Sequence, residues 1–400
     1  MSLPLAGVRV AEYAQYVAGP LAGVLLSDLG AEVIKVEPPA GDGYRKVMPV
    51  APGLGRFFLP LNRGKRSVVI DLRAEEGRRA SAALLSSADV VLHNYPPARA
   101  TEFQLGWKTL HESHPHLVAG VVSSFGRTGP LAGAPAYDLV AQARAGLLTA
   151  HASPGDRVPV RAGGIPMADL TAGMLLASGV LAALVRARET GVGELVEISL
   201  HGAALAVQLQ DLVRLPAEAA ADEARIAVSA DLDRRAEEIA RDTSMNPYYR
   251  CYAAMDGYVA VACLNVVQRR ALLELLGLED ATVDAPDLVP DDPAVLAAKQ
   301  SVTAEVERRI AGGEAADWIA RLAAVGVPCG PVHVQATALE DGQARANHLS
   351  ATIDQPGIGQ VSLLGPVLRV GADEPGDPLL RGAPELGADT AAVLGELGIA

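Results

Sequence analysis

Short apolar segments alternate with helical patterns over the first half of the chain. Five segments have the apolar, β-branched character of strands: residues 8–13, 32–37, 67–72, 89–94 and 117–123. Helical patterns over residues 19–29 and 74–88 lie between them. Continuously apolar strands separated by helices are typical of a parallel sheet that is covered on both faces. The pattern therefore predicts an α/β fold with a doubly wound, Rossmann-like large domain.

The pattern changes after residue 206, and this change predicts the domain organisation. Residues 1–206 form the first part of the large domain, and the charged, alanine-rich residues 207–245 form a helical linker. Two strand patterns followed by three helical patterns predict a smaller α+β domain over residues 246–330. Residues 331–400 form a return linker and a final C-terminal helix that stands apart from the small domain.

The first strand-to-helix turn lacks the glycine pattern of dinucleotide-binding proteins. That turn runs from Tyr13 to Pro20 and contains only Gly19, so no GxGxxG motif follows the first strand. An NAD-dependent dehydrogenase, which is the fold-level alternative, therefore loses its main sequence support.

Charge and composition limit the classes of function. The formal net charge is −13, which argues against a nucleic-acid binder and means that an anionic ligand needs a local basic patch. The three cysteines have no metal-ligand spacing, and we interpret them as reduced thiols of a cytoplasmic protein without a metal site. No signal-peptide pattern opens the chain, and the apolar run 170–185 is short for a membrane span, so we expect a buried core helix.

Asp169 stands alone between a glycine- and proline-containing stretch and this apolar run. A carboxylate at the start of an apolar helix gains from the helix dipole and from free backbone N–H groups. One interpretation is a helix cap or first-turn carboxylate. The other is a catalytic carboxylate in a dry pocket, acting as nucleophile or base.

The order of several motifs resembles the family III CoA-transferases, the CaiB–BaiF group, along nearly the whole chain. The resemblance rests on these segments: 4–10, 18–20, 26–37, 62–67, 129–130, 137–143, 326–332 and 386–398. Asp169 falls in the segment that carries the catalytic aspartate of that family.

The resemblance implies a fold and a reaction. It implies a large α/β domain, a smaller domain, a C-terminal segment that returns to the large domain, and two chains interlocked as a homodimer. It also implies CoA transfer between an acyl-CoA and a free carboxylic acid through aspartyl anhydride and aspartyl-CoA thioester intermediates on Asp169. CoA is then a substrate, and no permanently bound cofactor, nucleic acid or membrane is expected.

The resemblance also suggests which residues contact CoA. The matching positions are Tyr16, Val17, Ala18, Leu72, Arg73, Asn94, Tyr95, Arg99, Tyr137 and Asp138. Further candidates for the CoA phosphates, which need cationic donors, are Lys35, Arg45, Lys65 and Arg66.

Two other functions stay open at this stage. The family also contains 2-methylacyl-CoA racemases, which use a histidine with the aspartate, but this chain has Tyr137 at that position. A non-catalytic acyl-CoA-binding protein is the other alternative, although binding alone does not require a desolvated carboxylate. The apolar neighbours Met167, Leu170 and Met174 favour a small or moderately apolar acid over a dicarboxylate.

Overall fold

The computed structural model describes residues 3–151, 159, 161, 164–213, 246–284, 292–371 and 380–399. The chain divides into two compact units. The first unit contains Met1–Leu147, Arg161–Arg214 and Leu339–Ala400, and the second contains Leu148–Val160 and Leu215–Ala338. The domain boundaries drawn from the sequence stay predictions, and most of the predicted linker, residues 214–245, lies outside the described residues.

A six-stranded parallel sheet forms the centre of the first unit. Its strands are β1 (Arg9–Glu12), β2 (Glu32–Glu37), β5 (Arg66–Val69), β6 (Val90–His93), β7 (Val118–Ser123) and β8 (Leu195–Ser199). Their spatial order is β5-β2-β1-β6-β7-β8, and every neighbouring pair is parallel. Counted along the chain within this sheet, the order is 3-2-1-4-5-6, the doubly wound order. The predicted α/β fold is confirmed.

Helices cover both faces of this sheet. The described helices of the first unit are α1 (Ala18–Asp28), α2 (Phe58–Asn62), α3 (Glu75–Ser87), α4 (Pro97–Glu102), α5 (Trp107–Ser113), α6 (Asp138–Arg144), α7 (Met167–Thr190), α8 (Leu200–Ala206) and, from the C-terminal segment, Gly342–Ala346 and Thr390–Glu396. Two small hairpins complete the unit: β3 (Pro49–Ala51) with β4 (Leu54–Gly55), and β12 (Ser350–Gln355) with β13 (Gly359–Leu364). One apolar cluster lies on each side of the sheet, with α1 and α7 on one side and α3 on the other.

The second unit has its own sheet and core. Antiparallel strands β9 (Tyr249–Ala253), β10 (Tyr258–Ala262) and β11 (Cys329–Pro331) form the sheet. Its helices are α9 (Val266–Leu276), α10 (Pro293–Ile310) and α11 (Ala315–Ala324). Leu272, Val306 and Leu322 are completely buried between them. The helices agree closely with the patterns read from the sequence.

The C-terminal segment is tied to the first unit by hydrogen bonds and ion pairs. The backbone N–H of Ser67 donates to the Asp389 carboxylate at 2.9 Å, and that of Val69 donates to Thr390 Oγ1 at 3.0 Å. Arg66, on the same edge strand β5, forms an ion pair with Glu396 of the C-terminal helix at 2.8 Å. These contacts satisfy the free edge of β5, which an open sheet must otherwise protect.

Among the described helices, α7 is long and apolar enough to span a membrane, judged by its length and composition alone. Its Ala172, Leu176 and Val180 side chains are completely buried beside the sheet. Ridge-to-groove packing against α1 is close, because a Cβ on Gly173 would lie 2.7 Å from the Ala18 carbonyl oxygen. These contacts place one face of α7 in the core of the first unit.

A buried network of charged side chains lies under α1. Lys65 and Lys35 are fully buried and contact Glu12 at 2.7 and 3.1 Å, and Lys35 also pairs with Asp42 at 2.9 Å. Arg45 forms a two-point pair with Glu37, with both distances 2.6 Å. Such charges are tolerated in a core only when paired and hydrogen-bonded, and here three carboxylates face three cations.

This network corrects one expectation about the CoA phosphates. Lys35 and Lys65 have no exposed side-chain surface, so their assignment as phosphate contacts is wrong. Burial lowers the pKa of Lys65 to about 8, whereas the Glu12 and Asp42 carboxylates outweigh burial and raise the pKa of Lys35 above its ordinary value. Arg45 is bound to Glu37 and to the Pro384 carbonyl, and is equally internal.

Gly23 provides a test of this network. A Cβ at Gly23 would lie 1.9 Å from Glu12 Oε2. We expect Gly23→Ala to lower the free energy of unfolding by about 1–3 kcal/mol, because neighbouring atoms cannot move without disturbing the ion pairs. Thermal or urea denaturation of the full-length protein measures this change.

Gly395→Ala is the matched control. Gly395 is an exposed helical glycine whose added Cβ would meet nothing within 4 Å. Because alanine has the higher helix propensity, this variant should be neutral or stabilising by up to ~1 kcal/mol. Equal stability of Gly23→Ala and the native protein would contradict the described packing of Glu12.

Candidate active site

Asp169 lies in the first turn of α7, at the carboxyl-terminal side of the parallel sheet, and is mostly buried. It does not cap the helix, because the N-cap residue is Pro166 and no side-chain cap is present there. Burial, with a smaller contribution from the Asp138 carboxylate, raises the pKa of Asp169 to about 7. This first-turn carboxylate is therefore only partly ionised at neutral pH.

Asp138 provides the missing cap from another helix. Its Oδ1 atom accepts hydrogen bonds from the backbone N–H groups of Ala168 and Asp169, at 3.0 and 3.2 Å. Its Oδ2 atom accepts from Gln142 Nε2 at 2.7 Å. With 4% of its surface exposed, Asp138 lies beneath Asp169 and fixes the start of α7.

The first backbone donors of α7 are all occupied. Besides the two N–H groups held by Asp138, that of Met167 donates to the Ile165 carbonyl and that of Leu170 to the Pro166 carbonyl, both at 2.9 Å. These donors are therefore engaged and do not form an oxyanion hole. Of the glycine-containing stretch before Asp169, Gly163 lies outside the described residues.

Arg161 is the cation next to this carboxylate pair. Its Nη1 atom lies 3.3 Å from Asp138 Oδ2, and 36% of its side chain is exposed. The positive charge opposes the effect of burial on the pKa of Asp169. Sequence reasoning did not single out Arg161, because a lone arginine before a glycine pair carries no recognisable spacing signal.

The turn after β1 is held rigidly at the switch point of the sheet, between β1 and β6. Gln15 and Asn94 exchange two hydrogen bonds across this crevice, with Gln15 N to Asn94 Oδ1 at 3.1 Å and Asn94 Nδ2 to Gln15 O at 2.8 Å. Tyr16 adopts a left-handed backbone conformation with φ of 70°, and its N–H donates to Asp42 Oδ1 at 3.3 Å. The buried network thus fixes a strained residue at the site where doubly wound folds bind ligands.

Four aromatic rings form a row of ring-to-ring contacts beside this turn. Tyr16 packs edge-on against Tyr137 and Tyr44, at centroid distances of 5.8 and 5.6 Å, and Tyr44 contacts Phe57 at 6.1 Å. Burial, with a smaller contribution from the negative charge of Asp169, raises the pKa of Tyr44. Tyr16, Tyr137 and Phe57 are partly solvent-exposed and present an aromatic surface.

Asp169 lines a cavity of about 690 Å³ within the first unit. Among the residues predicted to contact CoA, the cavity is lined by Tyr16, Ala18, Asn94, Tyr95 and Tyr137. A cavity of this volume is in the range of small-molecule and cofactor sites. The structure thus brings half of the predicted contact residues together with the predicted catalytic carboxylate.

The other predicted contact residues have different positions. Val17 is buried at the start of α1, and Leu72 is buried in the apolar cluster beside α3. Arg73 is exposed after β5, and Arg99 pairs with Glu102 at 3.5 Å on α4. None of these four residues is part of the described cavity lining, so their contacts with CoA stay predictions.

Several cavity residues escaped the sequence interpretation. The main examples are Trp107, Lys108, Arg127 and Glu197, and His93 also lines the cavity. Glu197 belongs to β8, which the sequence reading did not predict, and it pairs with Arg127 at 2.5 Å. Burial lowers the pKa of His93 to about 4, so its imidazole is neutral. Among the described residues, no group of three potential ligands marks a metal site.

Comparison with known proteins identifies the family. The sequence model of CoA-transferase family III matches residues 5–390. The chain belongs to CoA-transferase family III. It is accordingly a CoA-transferase, and CoA thioesters are its substrates.

Named relatives of this family III CoA-transferase cover most of its length. The probable fatty acyl-CoA transferase Rv3272 of Mycobacterium tuberculosis is 34% identical, over 81% of this chain and 81% of that protein. The acetyl-CoA:oxalate CoA-transferase of Acetobacter aceti is 30% identical, over 98% of this chain and 95% of that protein. A crystal structure of a CaiB/BaiF family protein from Brucella suis is 30% identical and superposes with a TM-score of 0.77, covering 99% of this chain and all of that one.

The position of Asp169 in this CoA-transferase leads to a stability prediction. The pKa of Asp169 is about 7 in the folded protein and lies above the ordinary value of 3.8. Between pH 3.8 and about 7, the Asp169 carboxyl group is therefore protonated in the folded protein and ionised in the unfolded chain. The native protein therefore loses stability as the pH rises from about 4 through 7. Asp169→Asn does not titrate, and should be more stable than the native protein at about pH 8.5 by roughly 2 kcal/mol, after allowance for solvent screening.

Chemical denaturation at a series of pH values measures this difference. The advantage of Asp169→Asn should shrink steadily as the pH falls toward about 5. An Asp169→Asn protein that is less stable than the native protein at high pH would show that Asp169 is an ordinary helix-stabilising carboxylate.

Proposed function

We propose that the protein transfers CoA between an acyl-CoA and a free carboxylic acid with Asp169 as the nucleophile. The observation that supports this most is the mostly buried carboxylate with a raised pKa on the wall of a 690 Å³ cavity. Perturbed carboxyl groups in cavities are typical of active sites, because keeping them has a cost in stability.

The reaction proceeds by exchange of acyl bonds at one carboxylate. Ionised Asp169 attacks the thioester carbonyl, a mixed anhydride forms, and the carbon–sulfur bond breaks with release of CoA thiolate. The thiolate then attacks Asp169 Cγ, forming an aspartyl-CoA thioester as the donor acid leaves as its carboxylate. The acceptor carboxylate then attacks Cγ of the aspartyl-CoA thioester, which forms a second anhydride and releases CoA thiolate again. The thiolate attacks the acceptor's carbonyl carbon in this anhydride, which gives the product acyl-CoA and frees the Asp169 carboxylate.

The geometry helps a weak nucleophile in two ways. Removal from water strengthens a carboxylate as a nucleophile, and Asp169 is mostly buried while still reaching the cavity. Asp138 fixes the backbone on which Asp169 stands through two hydrogen bonds, which keeps the carboxylate in one place. We therefore assign Asp138 as a positioning residue rather than as a direct CoA contact.

CoA is placed in this proposal along the carboxyl-terminal ends of β1 and β6. Asn94 and Tyr95 line that crevice, and Lys108 and Arg127 supply positive charge on the cavity wall. Lys108 is the more available of the two, with 89% of its side chain exposed and its Glu112 contact at 4.0 Å. A cation with a weak or distant protein partner can form stronger charge-assisted hydrogen bonds with a phosphate group.

The racemase alternative has less support from these residues. Proton transfer at the carbon beside the thioester requires a second acid or base opposite the aspartate. His93 lines the cavity but is buried, and its pKa is lowered to about 4 by that burial. Tyr137 occupies the position of the racemase histidine, and no observation favours it as a base.

Asp169→Asn should abolish CoA transfer while CoA binding is largely retained, because the proposed CoA contacts lie on other loops. In the native protein an acyl-CoA should leave a covalent adduct on Asp169, which hydroxylamine converts into a hydroxamate. Peptide mass spectrometry locates this product. Loss of one nucleophile typically reduces turnover by several orders of magnitude.

Glu189→Gln is the matched control, because Glu189 is an exposed carboxylate near the other end of the same helix. It should transfer CoA at the native rate. Near-native turnover of Asp169→Asn, or an adduct on another side chain, would refute the mechanism. Rapid deuterium uptake at the α-carbon of a 2-methylacyl-CoA without transfer would support the racemase instead.

We also propose an interlocked homodimer in the cytoplasm. Met174, Leu175 and Val185 of α7 are apolar and exposed by 50%, 42% and 63% in the single chain. Burial of such side chains by a second copy removes apolar surface from water. The three free cysteines agree with a reducing compartment.

Light scattering tests the dimer. The expected mass is about 83 kDa, twice the 41.3 kDa of one chain, and it should persist on dilution because interlocked chains cannot separate without unfolding. A stable species of 41.3 kDa at low concentration would contradict the proposal.

A further inference from the structure

We propose that Arg161 binds the carboxylate of the free acid, both when the donor acid leaves and when the acceptor acid enters. We also propose that the acceptor is a monocarboxylic acid with an apolar body. The inference rests on the proposed function, since it concerns the free acid that the aspartyl intermediates release and accept. It adds a specificity-determining residue and a substrate class to that reaction.

The position of Arg161 fits a carboxylate receptor. Its guanidinium contacts Asp138 Oδ2 through Nη1 at 3.3 Å, and 36% of its side chain is exposed. Within the part of the chain that the structure describes, the guanidinium makes no other hydrogen bond. A guanidinium has five N–H donors in a planar fork that matches a carboxylate, so most of its donors remain available.

The backbone near Asp169 does not provide an alternative receptor. The first four N–H groups of α7 donate to Asp138, Ile165 and Pro166. A helix N-terminus often binds anions, but here its donors are already satisfied. Arg161 contacts Asp138 Oδ2 at 3.3 Å, on the carboxylate whose other oxygen accepts from the Asp169 backbone, and its positive charge lowers the pKa of Asp169.

The chemistry requires positive charge at this point. When CoA thiolate attacks Asp169 Cγ in the anhydride, the Cγ–O bond breaks and its electron pair leaves on the departing carboxylate. That anion forms within reach of Asp138, whose charge repels it. In the reverse direction, the incoming acid must approach as an anion and attack the same carbon. One cation beside Asp169 stabilises both events, because the two steps pass through equivalent geometries.

The surroundings select the body of the acid. Tyr16 and Tyr137 line the same cavity as Asp169, and Tyr44 and Phe57 extend the aromatic surface from Tyr16. An apolar chain or ring gains by packing on these faces. A dicarboxylate needs a second cation, and the two cations of the described cavity lining, Lys108 and Arg127, are assigned to CoA in the proposed function.

Matched acceptor acids test the substrate class with the full-length native protein. Butanoate and succinate have the same number of carbon atoms and differ in one carboxylate, and benzoate adds an aromatic body. With acetyl-CoA as donor, butanoate and benzoate should exceed succinate in kcat/KM by about tenfold or more, the effect of leaving a charge unpaired. Equal or better transfer to succinate would overturn the assignment of a monocarboxylic acid.

Two variants test the residue. Arg161→Gln should raise KM for butanoate by roughly 10–100-fold, the range for a lost charged hydrogen bond, and should change KM for acetyl-CoA by less than about twofold. Arg161→Lys keeps the charge and should recover part of the loss. Rates should be compared at about pH 9, above the Asp169 pKa of about 7, so that both proteins carry the ionised nucleophile.

The outcomes separate this inference from the proposed function. An unchanged KM for butanoate would overturn the inference, because a residue that binds the acid's carboxylate cannot be removed without weakening acid binding. Trapping with hydroxylamine is performed on the same samples. An adduct on Asp169 in both the native protein and the variant would show that Asp169 acts as the nucleophile, whatever the KM values are. Absence of the adduct from the native protein would contradict the proposed mechanism itself.

Discussion

The arrangement of the site depends on one buried interaction, the capping of α7 by the Asp138 carboxylate. It joins the starts of α6 and α7 and satisfies the backbone donors of Ala168 and Asp169, at 3.0 and 3.2 Å. A helix that begins in an apolar cavity must have its first N–H groups satisfied by some acceptor. Because the acceptor is a charged side chain beneath Asp169, the same interaction positions that carboxylate and contributes to its raised pKa. The Asp138 carboxylate thus fixes both the start of α7 and the backbone of Asp169.

A second set of buried charges supports the opposite wall of the site. Lys35 donates to the Ala14 carbonyl at 2.9 Å, and Asp42 accepts from the backbone of Tyr16 and Tyr44. These bonds fix the turn after β1 and place two rings of the aromatic surface near Asp169. Rigid placement of reacting groups is a large part of catalysis. In this family III CoA-transferase, ion pairs without exposed side-chain surface support the backbone that carries these two rings.

The sequence predicted the regular elements well, and about half of its predicted contact residues lie around one cavity with Asp169. Apolar periodicity located five sheet strands and α7, because these elements are buried on a regular face. It missed β8, whose residues are only half-buried and include the charged Glu197. Asp169 was found because a lone carboxylate in an apolar run is conspicuous. Lys35 and Lys65 were misassigned, since a sequence does not show that two lysines share a buried glutamate. Arg161 was missed because only the fold brings it to Asp138.

The central claim is that Asp169 itself exchanges acyl bonds, and oxygen labelling tests it most directly. The acceptor acid is supplied with heavy oxygen in its carboxylate, and the protein is digested after a single turnover. In the anhydride route the acceptor leaves one of its oxygens on Asp169, so the peptide that contains Asp169 should gain the mass of one heavy oxygen. Formation of the product acyl-CoA with no heavy oxygen in that peptide would contradict the account, because transfer would then have bypassed this carboxylate.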